Sequence, residues 1–310
     1  MILIIERSLI VMLKLIVDST CDLPENYIKE NDILVLPLKI LLENKEYLDG
    51  ETINVDGVYE AMKKGYMPMT AQPAPETIYN IFPNYAKKGQ EFIYIAFSSA
   101  MSGTCQLAST ILLELKEEFP QVNMEVVDSM GGSTATGLIV MQTMEYIKSG
   151  MTEFKKALDY MKDLTHHIEH IFTISDLNWL IKGGRISKTQ GMIGSILGIN
   201  PILDVNDGRM EVIRKTRGRK KAFAAVIDML EERAGALKDQ IIGISHADDE
   251  EAARELVSMI TERLGCTQFI INKIGGVLGS HLGIGGVGVF FFNQEAVLQK
   301  AFQQDRYPAG

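Results

Sequence analysis

The chain has 310 residues, of which 46% are hydrophobic and 23% are charged, and this balance is typical of a folded globular protein rather than a disordered or membrane-embedded one. Its formal net charge of −9 provides no overall attraction to nucleic acid or anionic lipid, so neither nucleic acid nor a membrane anchor is expected. The cysteines, Cys21, Cys105 and Cys266, form no CxxC pair, and reduced thiols in the cytoplasm are expected rather than disulfides or a zinc knuckle.

The N-terminal residues are apolar but predict neither a signal peptide nor a membrane span. Glu6, Arg7 and Lys14 interrupt the apolar run, which stays short of the ~18 residues of a span, and no small-residue cleavage site follows. Met12 stands directly before a strand-like segment. The sequence is therefore compatible with a start at that methionine, residues 1–11 being an upstream extension.

Short apolar runs in the first half predict strands, and the longer patterns between them predict helices. Continuous apolar strands separated by helices are typical of a mainly parallel sheet that is covered on both faces. The predicted strands are Leu15–Val17, Ile33–Pro37, Phe92–Phe97 and Val122–Val127, and the predicted helices are Val55–Lys64, Gln106–Glu118 and Leu138–Lys148.

Polar clusters follow three of these strands, at Asp18-Ser19-Thr20, Ser98-Ser99 and Asp128-Ser129. Ligands of parallel sheets collect at the carboxyl ends of the strands, which makes these clusters candidates for a binding site. Asp and Ser also cap helices and form turns. We therefore favour a structural role for each Asp-Ser pair.

The second half predicts a mixed sheet. Asn206-Asp207-Gly208 interrupts an alternating apolar pattern, which is a strong signal for a β-hairpin with antiparallel strands. We therefore expect a two-domain α/β protein, with a mainly parallel sheet in residues 12–165 and a mixed sheet in residues 166–310. The other predicted elements are helices at Lys220–Arg233 and Asp249–Leu264, a strand at Gln240–Ser245, the glycine-rich segment Gly275–Gly288 and a last strand at Val289–Phe292.

Two motifs match the letters of known sites without their structural context. His166, Glu169 and His170 follow the HxxEH order of a zinc-peptidase class, yet IEHIFTI reads as a strand, so a polar helix end is the favoured interpretation. The segment Gly283–Gly288 satisfies GxGxxG, but a strand follows it where a dinucleotide site requires a helix. We therefore expect a loop that allows close backbone approach.

The common catalytic motifs are missing from the sequence. There is no GxSxG elbow and no GxxxxGK[ST] phosphate loop, and each of these is the usual signature of its enzyme class. Cys105 lies in a predicted helix without an evident histidine partner, so a buried thiol is favoured over a nucleophile.

A set of short hydroxyl side chains remains on predicted loops: Thr70, Ser98, Ser99 and Ser102. Hydroxyl groups donate hydrogen bonds to a carboxylate without supplying a full charge. His281, within the glycine-rich segment, is a candidate for an additional charge-assisted hydrogen bond. These residues indicate a binding site for an acidic headgroup more than a catalytic centre.

In the order and spacing of its motifs, the chain resembles the DegV family over roughly residues 13–292. Each block is modest alone, but their sequence along the chain is highly specific. The blocks include LIVDSTCDLP (15–24), MTAQPAPE (69–76), FSSAMSGTCQLA (97–108), SDLNWLIKGGRIS (175–187) and GGVLGSHLGIGGVGVFF (275–291).

The resemblance implies a carrier rather than an enzyme, with a two-domain α/β fold that encloses one long-chain fatty acid between its domains and needs no cofactor. It further implies that Thr70 and Ser102 hold the carboxylate, with Ser98 or Ser99 as the alternative to Ser102, and that His281 lies at the polar end. A long chain is physically reasonable as a ligand because each buried methylene contributes about 0.8 kcal/mol.

The resemblance also implies a partner, a separate fatty acid kinase that phosphorylates the bound carboxylate, with Arg185 of the KGGRIS motif helping to dock it. The alternative is that residues 182–185 are simply a helix end followed by a turn, where basic side chains are favourable. The sequence departs from the family pattern at Ala71, which replaces a serine beside Thr70.

Two other functions compete with the carrier. A serine–histidine hydrolase or acyl transferase would use Ser102 or Ser99 with His281, and requires a serine–histidine hydrogen bond and an oxyanion site. A zinc enzyme would use His166 and His170 as metal ligands.

Overall fold

The structure of the chain, a computed structural model, describes residues 13–187, 199–235 and 237–296. The expected extension at residues 1–11 lies outside these described residues. In the part of the chain that the structure describes, none of the helices has the length and apolar character needed to cross a bilayer.

The first half alternates strands and helices. Its strands are β1 (Lys14–Asp18), β2 (Leu34–Leu36), β3 (Lys39–Leu42), β4 (Lys45–Leu48), β5 (Met69–Ala71), β6 (Phe92–Ala96) and β7 (Met124–Asp128). Its helices are α1 (Glu25–Glu30), α2 (Val55–Lys63), α3 (Pro75–Lys87), α4 (Thr104–Glu118), α5 (Thr134–Lys148) and α6 (Phe154–His167).

The second half contains the remaining elements. Its strands are β8 (Ile168–Thr173), β9 (Ile199–Asn206), β10 (Arg209–Arg217), β11 (Ile242–His246), β12 (Phe269–Lys273) and β13 (Val287–Phe292). Its helices are α7 (Asn178–Lys182), α8 (Arg219–Arg233), α9 (Glu250–Leu264) and α10 (Gly276–Leu282).

The predicted α/β class is confirmed. The prediction of a parallel sheet in the first half and a mixed sheet in the second half is confirmed as well. Strands β2-β1-β6-β7 form a parallel sheet. Strands β10-β9-β8-β13-β11-β12 form a mixed sheet in which only the β11–β12 pair is parallel. The predicted hairpin is also present, with Asp207 and Gly208 at positive φ between β9 and β10.

The first half contains a second sheet, which was not predicted from the sequence. Strands β4-β3-β5 form a small antiparallel sheet. Glu43 and Asn44 connect β3 to β4 with φ of 50° and 62°, the positive values that a two-residue hairpin turn of type I′ requires. Thr70 lies in β5 of this sheet, whereas a loop was expected.

Helices cover both faces of the parallel sheet. Leu15 and Val17 pack with residues of α5 and α6 on one face, whereas Ile16 packs with residues of α3 and α4 on the other. Successive side chains of a strand point to opposite faces. This explains why the apolar runs are continuous: each strand is buried on both sides.

Helix α5 is buried on nearly all sides because it lies between the two large sheets. It packs with β1 and β6 of the parallel sheet and with Phe290 and Phe292 of the mixed sheet. A helix that is apolar all round is typical of such a central position. It begins at Thr134, four residues before the predicted start, and its polar first turn explains the difference.

The polar cluster after β1 organises the loops beside it. The buried Asp18 carboxylate accepts hydrogen bonds from the N–H and hydroxyl of Thr20, from the Tyr94 hydroxyl and from the Phe97 N–H. Burial is the main cause that raises the pKa of this carboxyl. The four donors offset the cost of burying it and hold Phe97 in place at the end of β6.

Candidate functional site

A cavity lies where the three sheets meet, and residues from both halves of the chain line it. It contains about 990 Å³ of empty space, part of it open to solvent. Most of the lining is apolar. The apolar lining includes Leu38, Phe97, Met101, Phe172, Ile174, Val205, Met210, Ile274, Val277, Leu278, Leu282, Val287 and Phe290.

One end of the cavity is polar and contains a threonine–histidine pair. Thr70 Oγ1 and His281 Nε2 are 2.6 Å apart and hydrogen-bonded, although the residues are far apart in sequence. Thr70 is half-buried between the exposed Met69 and Ala71. This alternation turns the threonine hydroxyl inward, because neighbouring side chains of a strand point to opposite faces.

Helix α10 carries His281 into the cavity wall. The side chain is 9% exposed, and burial lowers its pKa to about 4, with the nearby Arg185 guanidinium contributing. The imidazole is therefore neutral at pH 7. Its Nδ1 atom has no hydrogen-bond partner and faces Gly183, where a β carbon would collide with the ring.

Ser102 completes the polar end from the loop before α4. Its hydroxyl is hydrogen-bonded to the Thr104 hydroxyl at 2.9 Å, and its side chain is half-buried. Gln72, which the sequence reading did not single out, also lines this end. It packs against Gly103, where a β carbon would stand 2.5 Å from the Gln72 amide oxygen. Gln72 belongs to the MTAQPAPE block that carries the resemblance, but no role in the site was predicted for it.

The other serines of the motif do not line the cavity. The buried Ser98 hydroxyl donates to the Gly208 carbonyl at 2.8 Å and so attaches this loop to the β9–β10 hairpin. Ser99 is exposed, and its N–H donates to the Asp128 carboxylate. Of the three serines, the structure thus brings only Ser102 together with Thr70 and His281.

Arg185 also lines the cavity and is half-buried. Its guanidinium donates to the Gly183 carbonyl at 2.6 Å, and burial lowers its pKa. Because a guanidinium keeps its proton even so, it supplies a positive charge to the polar end. The cavity therefore combines two hydroxyls, a neutral imidazole and one cation with a mostly apolar wall.

A second, polar cavity adjoins the first. It contains about 870 Å³ of empty space, part of it open to solvent. Arg233 lies in it and pairs with Glu169 at 3.0 Å and with Asp204 at 2.6 Å. His170 and Val205 line both cavities, so these two side chains form part of the wall between them.

The geometry does not favour the competing enzymes. His281 is bonded to Thr70 rather than to a serine, whereas an activated serine needs a base within hydrogen-bonding distance. His166 is exposed at the end of α6, while His170 is buried in β8. Among the described residues, no group of three or more His, Cys, Asp or Glu side chains is placed to hold a metal ion.

Cys105 is half-buried in α4. Burial, with a smaller contribution from the Asp128 carboxylate, raises the pKa of its thiol to about 11. A thiol in this state is a poor nucleophile at neutral pH.

Comparison with known proteins identifies the family. The model of the DegV family, described as uncharacterised proteins, matches residues 12–294. A DegV domain-containing protein from Clostridium perfringens is 35% identical over 277 residues, which covers 88% of this chain and 95% of the relative. The match therefore extends over nearly all of both proteins.

Solved structures agree with this assignment. A DegV family protein from Thermus thermophilus, described as binding fatty acid, is 26% identical with a TM-score of 0.82 and covers 91% of this chain and 99% of its own. The DegV fatty acid binding protein from Bacillus subtilis is also 26% identical, with a TM-score of 0.79 and the same coverage. The chain therefore belongs to the DegV family.

Proposed function

We propose that the protein binds one long-chain fatty acid, with the tail along the apolar wall of the cavity and the carboxylate at Thr70, Ser102 and His281. The observation that carries this proposal is the composition of the site: a mostly apolar cavity in whose wall the Thr70 hydroxyl, the His281 imidazole and the Arg185 guanidinium lie together. The fatty-acid-binding relatives from Thermus thermophilus and Bacillus subtilis support the same ligand class.

The energetics favour the tail as the main source of affinity. Some fourteen buried methylenes at about 0.8 kcal/mol each contribute roughly 11 kcal/mol, before the costs of ordering the chain and losing free motion. The hydroxyl groups then orient and select the headgroup. No cofactor other than the bound acid is needed for this function, and the free thiols Cys21, Cys105 and Cys266 suit a reducing cytoplasm.

We further propose that the protein acts as a carrier and presents the carboxylate to a separate fatty acid kinase rather than transforming it. The absence of a serine–histidine hydrogen bond within the described site favours a carrier. Half-buried Arg185 lies at the polar end, where a kinase must approach to reach the carboxylate. Its part in docking the kinase remains a prediction.

The decisive test of ligand binding is native mass spectrometry of the purified chain, followed by denaturing extraction and identification of the released lipid. We expect one equivalent of a free fatty acid of roughly C14–C18, a range that includes the chain of about fourteen methylenes considered above. A folded protein that contains no lipid, and takes up none when fatty acids are added, would contradict the carrier. The serine–histidine hydrolase would then be tested next, with acyl esters as substrates.

Replacing Thr70 by valine is expected to weaken fatty acid binding by about three- to tenfold, because one net hydrogen bond contributes about 0.5–1.5 kcal/mol. The substitution keeps the shape of the side chain and removes the hydroxyl that meets His281. Ser102→Ala is expected to have an effect of the same size. Affinities measured by displacement of a fluorescent fatty acid give the comparison.

Ser99→Ala is the matched control, since Ser99 is exposed and does not line the cavity. We expect its affinity to equal that of the wild type. If Ser99→Ala weakens binding while Ser102→Ala does not, the headgroup lies at the other serine of the motif. If none of the three variants changes affinity, the carboxylate lies elsewhere.

A further inference from the structure

A buried threonine stands behind the serine at the polar end of the cavity. Thr104, the first residue of α4, is fully buried, and of the two residues only Ser102 lines the cavity. The Thr104 hydroxyl lies 2.9 Å from Oγ of Ser102, and the Thr104 N–H donates to the same oxygen at 3.3 Å. Two polar groups of Thr104 therefore meet at one oxygen atom of Ser102.

The burial of Thr104 decides which of the two hydroxyls donates. A buried donor without an acceptor is costly and rare in folded proteins. Ser102 Oγ is the acceptor that the described residues offer to the Thr104 hydroxyl. Ser102 itself is half-buried in the cavity wall, so that a ligand or water can accept its hydrogen. The arrangement of lower free energy has the Thr104 hydroxyl donating to Ser102.

This direction fills the acceptor capacity of the Ser102 oxygen. A hydroxyl oxygen has two lone pairs, and the O–H and N–H of Thr104 occupy both. What Ser102 has left is its own hydrogen, for which the described part of the chain provides no other acceptor. Ser102 therefore offers the cavity a donor only.

Thr70 is supported in a similar way by His281. A neutral imidazole has a single ring proton, and the buried Nδ1 of His281 has no partner. Orphaned buried N–H groups are rarer in proteins than under-satisfied acceptors, which favours the proton on Nε2. In that tautomer Nε2 donates to Thr70 Oγ1 across the 2.6 Å contact. The hydrogen of Thr70 is then also available to a ligand.

A headgroup that meets these two hydroxyls has to accept hydrogen bonds. An ionised carboxylate is an acceptor only, and the Arg185 guanidinium in the same wall adds a positive charge. A primary alcohol also brings a hydrogen of its own, for which the Ser102 oxygen has no free lone pair. The hydroxyl of Thr104 thus affects the two headgroups differently.

We propose that Thr104 is a positioning residue that fixes the Ser102 hydroxyl as a donor and so makes the cavity prefer a carboxylate to the alcohol of the same chain length. Thr104 acts through Ser102 and does not itself contact the ligand. The inference rests on the proposed function, since it assigns headgroup selectivity to the same cavity.

The test compares palmitic acid with hexadecanol as competitors of a fluorescent fatty acid on the delipidated full chain. Thr104→Val keeps the shape of the side chain and removes its hydroxyl. We expect acid binding to weaken by about threefold, within the range of one net hydrogen bond. Hexadecanol is expected to bind at least as tightly as to wild type, because a lone pair of Ser102 becomes free. Thr104→Ser is expected to restore both wild-type affinities.

A double-mutant cycle separates positioning from a structural effect. In a Ser102→Ala background, Thr104→Val is expected to cause no further loss of acid affinity, because the group through which it acts is gone. Thr143→Val is the matched control. Thr143 is equally buried, but its hydroxyl donates to the Ile139 carbonyl at 2.8 Å, so wild-type affinities for both ligands are expected.

An unchanged acid affinity in folded Thr104→Val overturns the inference. An equal loss for acid and alcohol also overturns it, as does a loss that persists in the Ser102→Ala background. Thr104→Ala lacks the same hydroxyl and replaces the valine variant if that protein does not fold. If wild-type protein binds alcohol and acid equally, the inference fails while the carrier function stands. If it binds neither, the proposed function itself fails.

Discussion

Replacing Gly279 by alanine is expected to lower the free energy of unfolding by about 3 kcal/mol, at the upper end of the usual cost of overpacking a core. A β carbon on this residue of α10 would stand 2.8 Å from Cζ of Tyr59 and closer still to its hydroxyl. Tyr59 is fully buried, and its hydroxyl donates to the Ile274 carbonyl at 3.0 Å. The ring cannot move aside without losing that hydrogen bond.

The same substitution is expected to weaken ligand binding, because α10 also carries His281. If the helix shifts away from α2, the 2.6 Å bond between Thr70 and His281 is lengthened. Denaturant unfolding monitored by circular dichroism gives the stability, and displacement of a fluorescent fatty acid gives the affinity. Both quantities are expected to fall together.

Gly286→Ala is the control for this prediction. Its β carbon would meet nothing closer than Cγ2 of Ile174 at 3.4 Å, an ordinary contact distance, so a loss of less than about 1 kcal/mol is expected. A Gly279→Ala protein as stable as Gly286→Ala would show that the α2–α10 contact adapts without cost. Close packing of α10 against α2 would then not require glycine at position 279.

The sequence predicts the large elements of this fold because their apolar patterns are long and regular. The buried strands β1 and β6 and the helices α2, α8 and α9 were each located to within about two residues at either end. The small antiparallel sheet was missed, since β3 and β4 are four residues each and β5 only three. Such short strands have no periodicity to detect, and tertiary contacts decide their conformation.

The glycine-rich segment shows a different limit. Seven of its residues form α10, although glycine disfavours helices. Here the helix is stabilised by packing: Gly276 and Gly279 allow close approach to Val58 and Tyr59 of α2. Local propensity indicated a loop because the compensating contact comes from residues more than two hundred positions away in the sequence.

For the candidate site, residue type and resemblance were informative, but side-chain direction was not available. The motif contains Ser98, Ser99 and Ser102 within five residues, and only the folded structure shows that the Ser98 hydroxyl bonds to Gly208 and that Ser99 lies outside the cavity lining. His170 was considered only as a metal ligand. Its place in the wall of the apolar cavity depends on strand pairing that no local pattern reveals.

The partly buried carboxyl of Asp22 is expected to make stability depend on pH. It accepts hydrogen bonds from the Ser133 hydroxyl at 2.6 Å and the Gly275 N–H at 2.9 Å. Burial is the main cause that raises its pKa to about 7, and the neighbouring Asp49 and Asp18 carboxylates add to the effect. A raised pKa in the folded state means that folding favours the protonated form.

The stabilisation by this proton is fully present below the unfolded pKa of 3.8 and is lost as the pH rises through about 7. His170 and His281 act in the opposite direction: their pKa values are lowered to about 4, so their contribution is complete above the unfolded pKa of 6.5 and is lost as the pH falls toward 4. The wild-type profile is thus the sum of opposing effects, and it does not by itself report on Asp22.

Comparison with Asp22→Asn isolates the contribution of the carboxyl, because the histidine effects are common to both proteins and cancel in the difference. The free energy of unfolding of the variant, relative to that of wild type, is expected to rise by about 1–2 kcal/mol as the pH is raised from 5 to 8. This value is smaller than the full pKa shift would give, because the side chain is only partly buried. Urea unfolding at several pH values measures this difference. A difference that stays constant from pH 5 to pH 8 would show that Asp22 ionises in the folded protein as it does in the unfolded chain, and that the junction between Ser133 and Gly275 is open to water.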